Sequence, residues 1–246
     1  MNSNQTWRFI DSGPGTAAVN MKLDEDLLVQ ALMPGALPVL RFYTWDPPAV
    51  SLGRFQRQDG AVNSDACADQ GFDIVRRITG GRAVLHNREL TYSVISPDKN
   101  ALFPPGVLGT YKVIAAGLLA GFRNLGISAE LVTRTGRHAQ LVDKDSRDAA
   151  CFASPSWYEL GGRGKKIAGS AQRRVAGAFL QHGSILINHD PALEAEVIPG
   201  GSPAERVTSI ERELGRQATL DEVKLAFKNG FADALGIVFR DLTNDA

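Results

Sequence analysis

Apolar positions along the chain recur at helical spacing in three stretches and cluster at strand spacing between them. In residues 16–32, Ala17, Met21, Leu28 and Ala31 fall on one face, which predicts an amphipathic helix ended by Met33-Pro34-Gly35. Residues 107–125 predict a second, with Tyr111, Ile114, Leu118, Phe122 and Leu125 on one stripe. Two helices are expected to close the chain. The last opens on Thr219-x-x-Glu222, a capping-box spacing, and ends at Gly236. Strand-like runs lie at 39–45 and 49–52, split by Pro47-Pro48, and at 73–79 and 82–86, joined by Gly80-Gly81. Further runs lie at 90–96, 156–160, 166–174 and 178–188, while 134–149 is polar and charged, as a surface loop would be. Strands in antiparallel clusters with single helices between them predict an α+β fold of mixed, largely antiparallel β-sheets flanked by helices. Residues 1–246 are expected to form one domain.

Charge narrows the possible partners. Lys+Arg and Asp+Glu both number 27, so the formal net charge is zero, which argues against a bulk nucleic-acid binder. No apolar run approaches the ~20 residues that would span a bilayer, and the first residues carry no signal-peptide core. A cytoplasmic protein is expected. Its two cysteines, Cys67 and Cys151, make neither a disulfide framework nor a zinc cage. His86, His138, His182 and His189 show no metal spacing, so no metal is expected.

Three segments carry candidate chemistry. Arg76-Arg77-Ile78-Thr79-Gly80-Gly81-Arg82-Ala83-Val84-Leu85-His86 reads first as a tight hairpin, since Gly-Gly between β-rich runs supplies positive φ. Its glycines would also let backbone N–H groups approach a ligand. Residues 74–88 hold four arginines and no acid, which suits an anionic or carbonyl-rich ligand, yet neither a Walker A loop nor a dinucleotide fingerprint is present. The second segment, Lys165-Lys166-Ile167-Ala168-Gly169-Ser170-Ala171-Gln172, lies in a stretch (160–189) with five Lys or Arg and no Asp or Glu. A lysine there is either a solvated charge or, crowded by arginines, one with a lowered pKa. The third is Cys151-Phe152-Ala153-Ser154-Pro155-Ser156-Trp157. Cys67 reads as an inert core thiol in a short helical run, 61–70, whereas Cys151 sits between a polar loop and a basic segment, the setting that favours a thiolate. A hairpin turning at 161–164 would place Lys166 opposite Glu159.

Together these segments resemble the biotin/lipoate A/B protein ligase superfamily, from about Trp7 to about Asn188. Arg76 to His86 is similar to its RRxxGGRAVLH stretch, and Lys166 to Ala171 to its K-x-x-G-S-A stretch. ATP-dependent ligases of the family usually carry a third glycine where this chain has Arg82. The run His86-Asn87-Arg88-Glu89-Leu90-Thr91-Tyr92-Ser93, Gln172, and a CF-x-x-PS-x-YEL stretch over 151–160 instead resemble the octanoyltransferase branch. Asn87 departs from the family's common acidic residue.

The resemblance implies octanoyl transfer from acyl carrier protein to a lysine of a lipoyl domain, such as glycine cleavage H protein or a 2-oxoacid dehydrogenase E2. It implies Cys151 and Lys166 as a catalytic dyad. Arg77, Thr79, Gly80, Gly81, Arg82, His86, Gly169, Ser170 and Ala171 are implied as substrate-binding residues. No cofactor, nucleic acid or membrane is expected. An ATP-dependent lipoate or biotin ligase, an octanoyl relay between lipoyl domains, and a non-catalytic carrier-binding module are the alternatives.

Overall fold

In the computed structural model, which describes residues 5–132 and 159–240, the chain opens on a strand that apolar periodicity does not announce. β1 (Gln5–Gly15) leads into α1 (Ala17–Gln30), whose N-cap Thr16 accepts a hydrogen bond from the Val19 amide. β2 (Val39–Trp45) and β3 (Ala49–Leu52) follow with the expected bounds. Next come α2 (Ser64–Asp69), β4 (Asp73–Arg76), β5 (Val84–His86), β6 (Glu89–Pro97), α3 (Val107–Asn124) and β7 (Ala129–Val132). The second described stretch holds β8 (Glu159–Gly162), β9 (Lys165–Val175), β10 (Ala178–Leu186), α4 (Pro191–Val197), α5 (Ile210–Leu214), α6 (Leu220–Leu235) and β11 (Ile237–Arg240). α6 is capped as expected: the Thr219 side chain accepts from the Glu222 amide, and Gly236 ends it at φ 59. No described helix is long and apolar enough to cross a membrane.

An eight-stranded sheet runs in the order β11-β1-β2-β6-β10-β9-β8-β7, and a three-stranded sheet in the order β4-β3-β5. β1 pairs in parallel with β11 and β2, and β3 with β4; the other pairings are antiparallel. The mixed, largely antiparallel α+β architecture is therefore the one the sequence predicts.

Two local expectations fail. The Gly80-Gly81 hairpin does not form, because β3 lies between the two runs it was to join, parallel to β4 and antiparallel to β5. The four residues of β3 are all buried, and that burial in the middle of a sheet outweighs a local turn signal. Three helices rather than two follow β10, and β11 comes after them; α4 and α5, at 7 and 5 residues, are too short to show a period.

The two faces of the large sheet differ. On one, Leu40, Phe42, Leu90, Tyr92, Val94, Phe179 and Ile185 join a core with α3 and α6. Those helices approach closely enough that a Cβ on Gly121 would stand 2.3 Å from the Phe227 ring, and one on Gly117 2.5 Å from Phe231. The other face is buried but mixed: Arg41, Thr91, Ser93, His182 and Ser184 form a polar patch in register across β2, β6 and β10, and further along the same strands Val39, Ile95 and Leu180 pack on Leu27, Leu28 and Ala31 of α1.

Candidate active site

The segment between β4 and β5, residues 77–83, is a loop folded around the Arg77 guanidinium. Nη1 donates to the Ser51 carbonyl (2.9 Å) and hydroxyl (3.0 Å), and Nη2 donates to the carbonyls of Gly80 (3.0 Å) and Arg82 (2.7 Å). A buried guanidinium with a fixed fork of donors is suited to gather carbonyls in this way. The Thr79 carbonyl accepts from the Arg54 amide at 2.8 Å. Gly81 has φ +99, open to glycine and strained for other residues. Gly53 is held to glycine for a different reason: its Cβ would lie 1.9 Å from the Gly81 carbonyl oxygen. Arg76 donates to the Gly53 and Gln56 carbonyls. The arginine-rich segment thus directs Arg77 onto its own backbone and that of Ser51, and Arg76 onto the backbone that follows β3.

Two hydroxyl–imidazole–carboxylate chains run into the polar patch of the large sheet, one from this loop and one from β3 beside it. In the first, Thr79 Oγ1 lies 2.7 Å from His182 Nε2, and His182 Nδ1 lies 2.9 Å from Asp24 of α1. Asp24 also accepts from Arg41 (2.7 Å), Tyr43 (3.1 Å) and Ser93 (2.8 Å). Burial pushes its carboxyl up, but the hydrogen bonds and charges of His182 and Arg41 outweigh that and hold it below its ordinary 3.8. Burial pushes the His182 imidazole below 6.5; Asp24 pulls the other way, while Arg77 and His86 add to the lowering. In the second chain, Ser51 Oγ lies 2.7 Å from His86 Nε2, and His86 Nδ1 lies 2.8 Å from Glu89. Glu89 also accepts from Thr91, Ser184 and Trp45. Its carboxyl is raised by burial and lowered further by His86, Ser184 and Thr91, ending below its ordinary value. Trp45 stacks on the His86 ring at 4.0 Å.

The second motif crosses this face on β9. Gly169 and Ala171 pair with Ser184 and His182, so they share the polar face. Ser170 does not. It pairs with Gly183 on the opposite face, where its hydroxyl meets the Tyr92 hydroxyl at 2.7 Å, and its carbonyl accepts from Tyr111 at 2.8 Å. Burial raises the Tyr92 phenol to about 12, keeping it protonated there.

Lys166 reaches the polar face through an irregularity. β8 pairs Leu160 with Ala168 but Gly161 with Lys166, leaving Ile167 as an extra residue. Directly paired residues share a face and strand neighbours alternate, so the bulge turns Lys166 to the side of Gly169 and Ala171. Strict alternation would have put it with Ala168 and Ser170. Its backbone bonds outward instead, donating to Arg206 (2.8 Å) and accepting from Thr208 (2.9 Å). The expected pairing of Lys166 with Glu159 is wrong: the turn is the two residues Arg163-Gly164, not 161–164, so Gly162 pairs with Lys165 and Gly161 with Lys166. Lys166 is buried and Lys165 half-buried.

Of the expected site residues, Arg77, Thr79, Gly80, Gly81 and Arg82 form one loop, and His86 and the buried network join it to the face of Lys166, Gly169 and Ala171. Ser170 lies on the other side of the sheet. Cys151 and the rest of its segment lie outside the described residues. Cys67 is buried, and burial pushes its thiol up, as suits an unreactive core residue. The sequence reading missed Asp24 and His182. Asp24 occupies a stripe position of α1, three residues after Met21 and four before Leu28, so an acid on an apolar face was the available signal.

Residues 16–232 match the lipoyl protein ligase A/B catalytic domain. An octanoyltransferase LipM of Bacillus subtilis is 42% identical over 244 residues, covering 95% of this chain and 87% of its own. That of Geobacillus kaustophilus is 41% identical over 251 residues, covering 98% and 90%. Among solved structures, lipoate-protein ligase A bound with ATP superposes with a TM-score of 0.79 at 26% identity, covering 96% of this chain and 88% of that one. A lipoate protein ligase of T. acidophilum with bound lipoic acid gives 0.74 at 25% identity, covering 96% and 89%. The match over residues 16–232 and the near full-length identity of these relatives make this chain a member of the lipoyl protein ligase A/B catalytic domain family.

Proposed function

We propose that the protein is an acyltransferase that takes an octanoyl group from acyl carrier protein onto Cys151 and passes it to a lysine of a lipoyl domain. The observation that carries the reading is Lys166, turned by a bulge onto the face of Gly169, Ala171 and His182. That face adjoins a loop whose carbonyls are already held by Arg77 and the Arg54 amide. With the Thr79, Gly80 and Arg82 carbonyls turned to these donors, backbone amide N–H groups of the glycine loop would suit an acyl oxygen on which negative charge develops. Near full-length identity of about 41–42% to proteins named octanoyltransferases supports the acyl group and the transfer.

The Cys151 thiolate attacks the donor thioester carbonyl; a new carbon–sulfur bond forms, the bond to the carrier sulfur breaks, and the carrier thiolate takes up the proton that the Cys151 thiol gave up. The neutral acceptor lysine amine then attacks the Cys151 thioester, the carbon–nitrogen bond of an amide forms as the carbon–sulfur bond breaks, the Cys151 thiolate leaves, and the proton shed by the amine passes to solvent. A free thiol is only a few per cent ionised at pH 7, so a cation beside it promotes the first step, and Lys166 is the cation this reading uses. Thioesters drive both steps without ATP. Seven methylene or methyl groups at about 0.8 kcal/mol each give an octanoyl chain on the order of 5–6 kcal/mol in a complementary tunnel. An acidic carrier would be met by the arginines around the loop, so salt should weaken the encounter.

A second reading, an ATP-dependent ligase, is favoured by the likeness to a ligase structure holding ATP. One experiment separates them: incubation with octanoyl-carrier protein followed by mass spectrometry, in parallel with lipoate and Mg-ATP. An octanoyl adduct on Cys151, absent from Cys151→Ser and chased onto a lipoyl domain, is the expected result. AMP formation with no adduct hands the case to the ligase.

A further inference from the structure

The glycine loop is anchored by two buried relays of the same composition, and the first, Asp24–His182–Thr79, ends on a side chain inside the loop itself. Resting on the octanoyl-transfer reading, we propose that Asp24 and His182 are positioning residues of that reaction. Their relay commits the Thr79 hydroxyl proton to His182, and so fixes Gly80-Gly81 against the face that carries Lys166, Gly169 and Ala171.

The proton directions follow from the donors around Asp24. Arg41 Nη1, Ser93 Oγ and Tyr43 OH all donate to it, so it is an ionised, acceptor-only carboxylate. His182 Nδ1, 2.9 Å away, must then carry its hydrogen toward Asp24. In the neutral ring Nε2 is the acceptor, and the partner it accepts from is Thr79, 2.7 Å away. Thr79 is fixed from a second side by the Arg54 amide on its carbonyl, and the preceding carbonyl, that of Ile78, accepts from Arg173 at 3.3 Å. β10 (backed by α1), β9 and the backbone that follows β3 thus hold two consecutive loop residues.

Stability alone does not account for this arrangement. A buried ionic cluster is commonly no more stabilising than well-packed apolar residues of the same volume. Its particular property is direction: one rotamer and one proton position for a stiff β-branched side chain. Acid reverses that direction, because a protonated Nε2 becomes a donor and the Thr79 hydroxyl must turn. The charged and titratable groups around His182 are Asp24 from α1, Arg41 from β2 behind it, Arg77 from the loop and His86 from β5. Among them only Asp24 favours the protonated ring.

The test is a double-mutant cycle in the full chain, with octanoyl-carrier protein as donor and a lipoyl domain as acceptor. His182→Asn keeps an N–H near Nδ1 for Asp24 but removes the acceptor for Thr79; Thr79→Val removes the hydroxyl. Each is expected to lower kcat/KM about tenfold, with the double variant no worse than the worse single one. Thr79→Ser is expected to restore most of the loss, and the acid limb of the wild-type kcat/KM profile to disappear in Thr79→Val. Independently of turnover, ¹⁵N spectra of the wild-type chain should show His182 protonated at Nδ1. Additive losses, a Thr79→Val variant as active as wild type, or a proton resident on Nε2 would each overturn the proposal. A wild-type chain that transfers no octanoyl group fails the parent reading instead, and the positioning role in octanoyl transfer falls with it.

Discussion

Where β2, β6 and β10 run through the middle of the eight-stranded sheet, both faces are buried, and they are built on different principles. Toward α3 and α6, aromatic and aliphatic side chains pack around glycines that permit close helix contact, and the gain is area removed from water. Toward α1 and the small sheet, an apolar cluster of Leu27, Leu28, Val39, Ile95 and Leu180 borders a patch of charged and hydroxyl side chains, each satisfied by a named partner. The first face tolerates exchange of one apolar side chain for another of similar volume. The polar patch does not, because a buried polar group deprived of its partner pays the full desolvation penalty. Substitutions should therefore sort by face: on the apolar side activity follows the folded fraction, whereas on the polar side activity and stability separate.

The largest effect is expected from Asp24→Asn, which leaves the buried Arg41 guanidinium without a counter-charge. A loss of about 3–5 kcal/mol in denaturant unfolding is anticipated, as for breaking a buried ion pair. Gly121→Ala is next: its methyl group meets the Phe227 ring, and overpacking of this kind costs about 1–3 kcal/mol. Its kcat should stay near wild type at temperatures where it remains folded, and a kcat loss larger than the folded fraction explains would blur the distinction between faces. Lys166→Ala should cut transfer at least tenfold, about 1.4 kcal/mol of barrier. It should also raise the pH at which iodoacetamide alkylates Cys151; an unchanged alkylation profile would end the dyad.

A smaller effect is expected in the pH dependence of Tm. The His182 pKa is lower folded than unfolded, so its contribution is fully present above 6.5 and is lost as pH falls from there toward the folded value. Asp24 and Glu89, also lowered, begin to lose theirs only below about their ordinary values of 3.8 and 4.5. Wild-type Tm should thus decline in two stages, and His182→Asn should lack the first. The smallest effect is expected at Lys165→Ala, within about ±0.5 kcal/mol in stability, as for a surface change. A tenfold loss of transfer there would mean that the wrong lysine had been placed on the site face.

The apolar face was largely legible in the sequence, because α3 and α6 announce themselves by stripe and cap and the strands around them by apolar runs. The polar face was legible only through its motifs. Asp24 reads as one acid among several in Leu23-Asp24-Glu25-Asp26, and His182 as a lone histidine in a strand; only three-dimensional pairing makes them partners. Gly80-Gly81 misled for the opposite reason: a strong local turn signal concealed a non-local one, the insertion of β3 between β4 and β5. β1 and β11 pair across almost the whole chain, a contact for which neither segment alone carries a signature.

The bulge at Ile167 gives β9 a kind of reading frame. Two lysines stand in tandem, identical in chemistry, and the count of residues between them and Ala168 decides which one meets the relays. Removing Ile167 would restore strict alternation and leave Lys166 in phase. Adding a single alanine between Lys166 and Ile167, with the bulge kept, would hand the face to Lys165 without altering one charge. For this strand, spacing is inherited information as much as composition is, and a bland insertion there would be more disruptive than many substitutions.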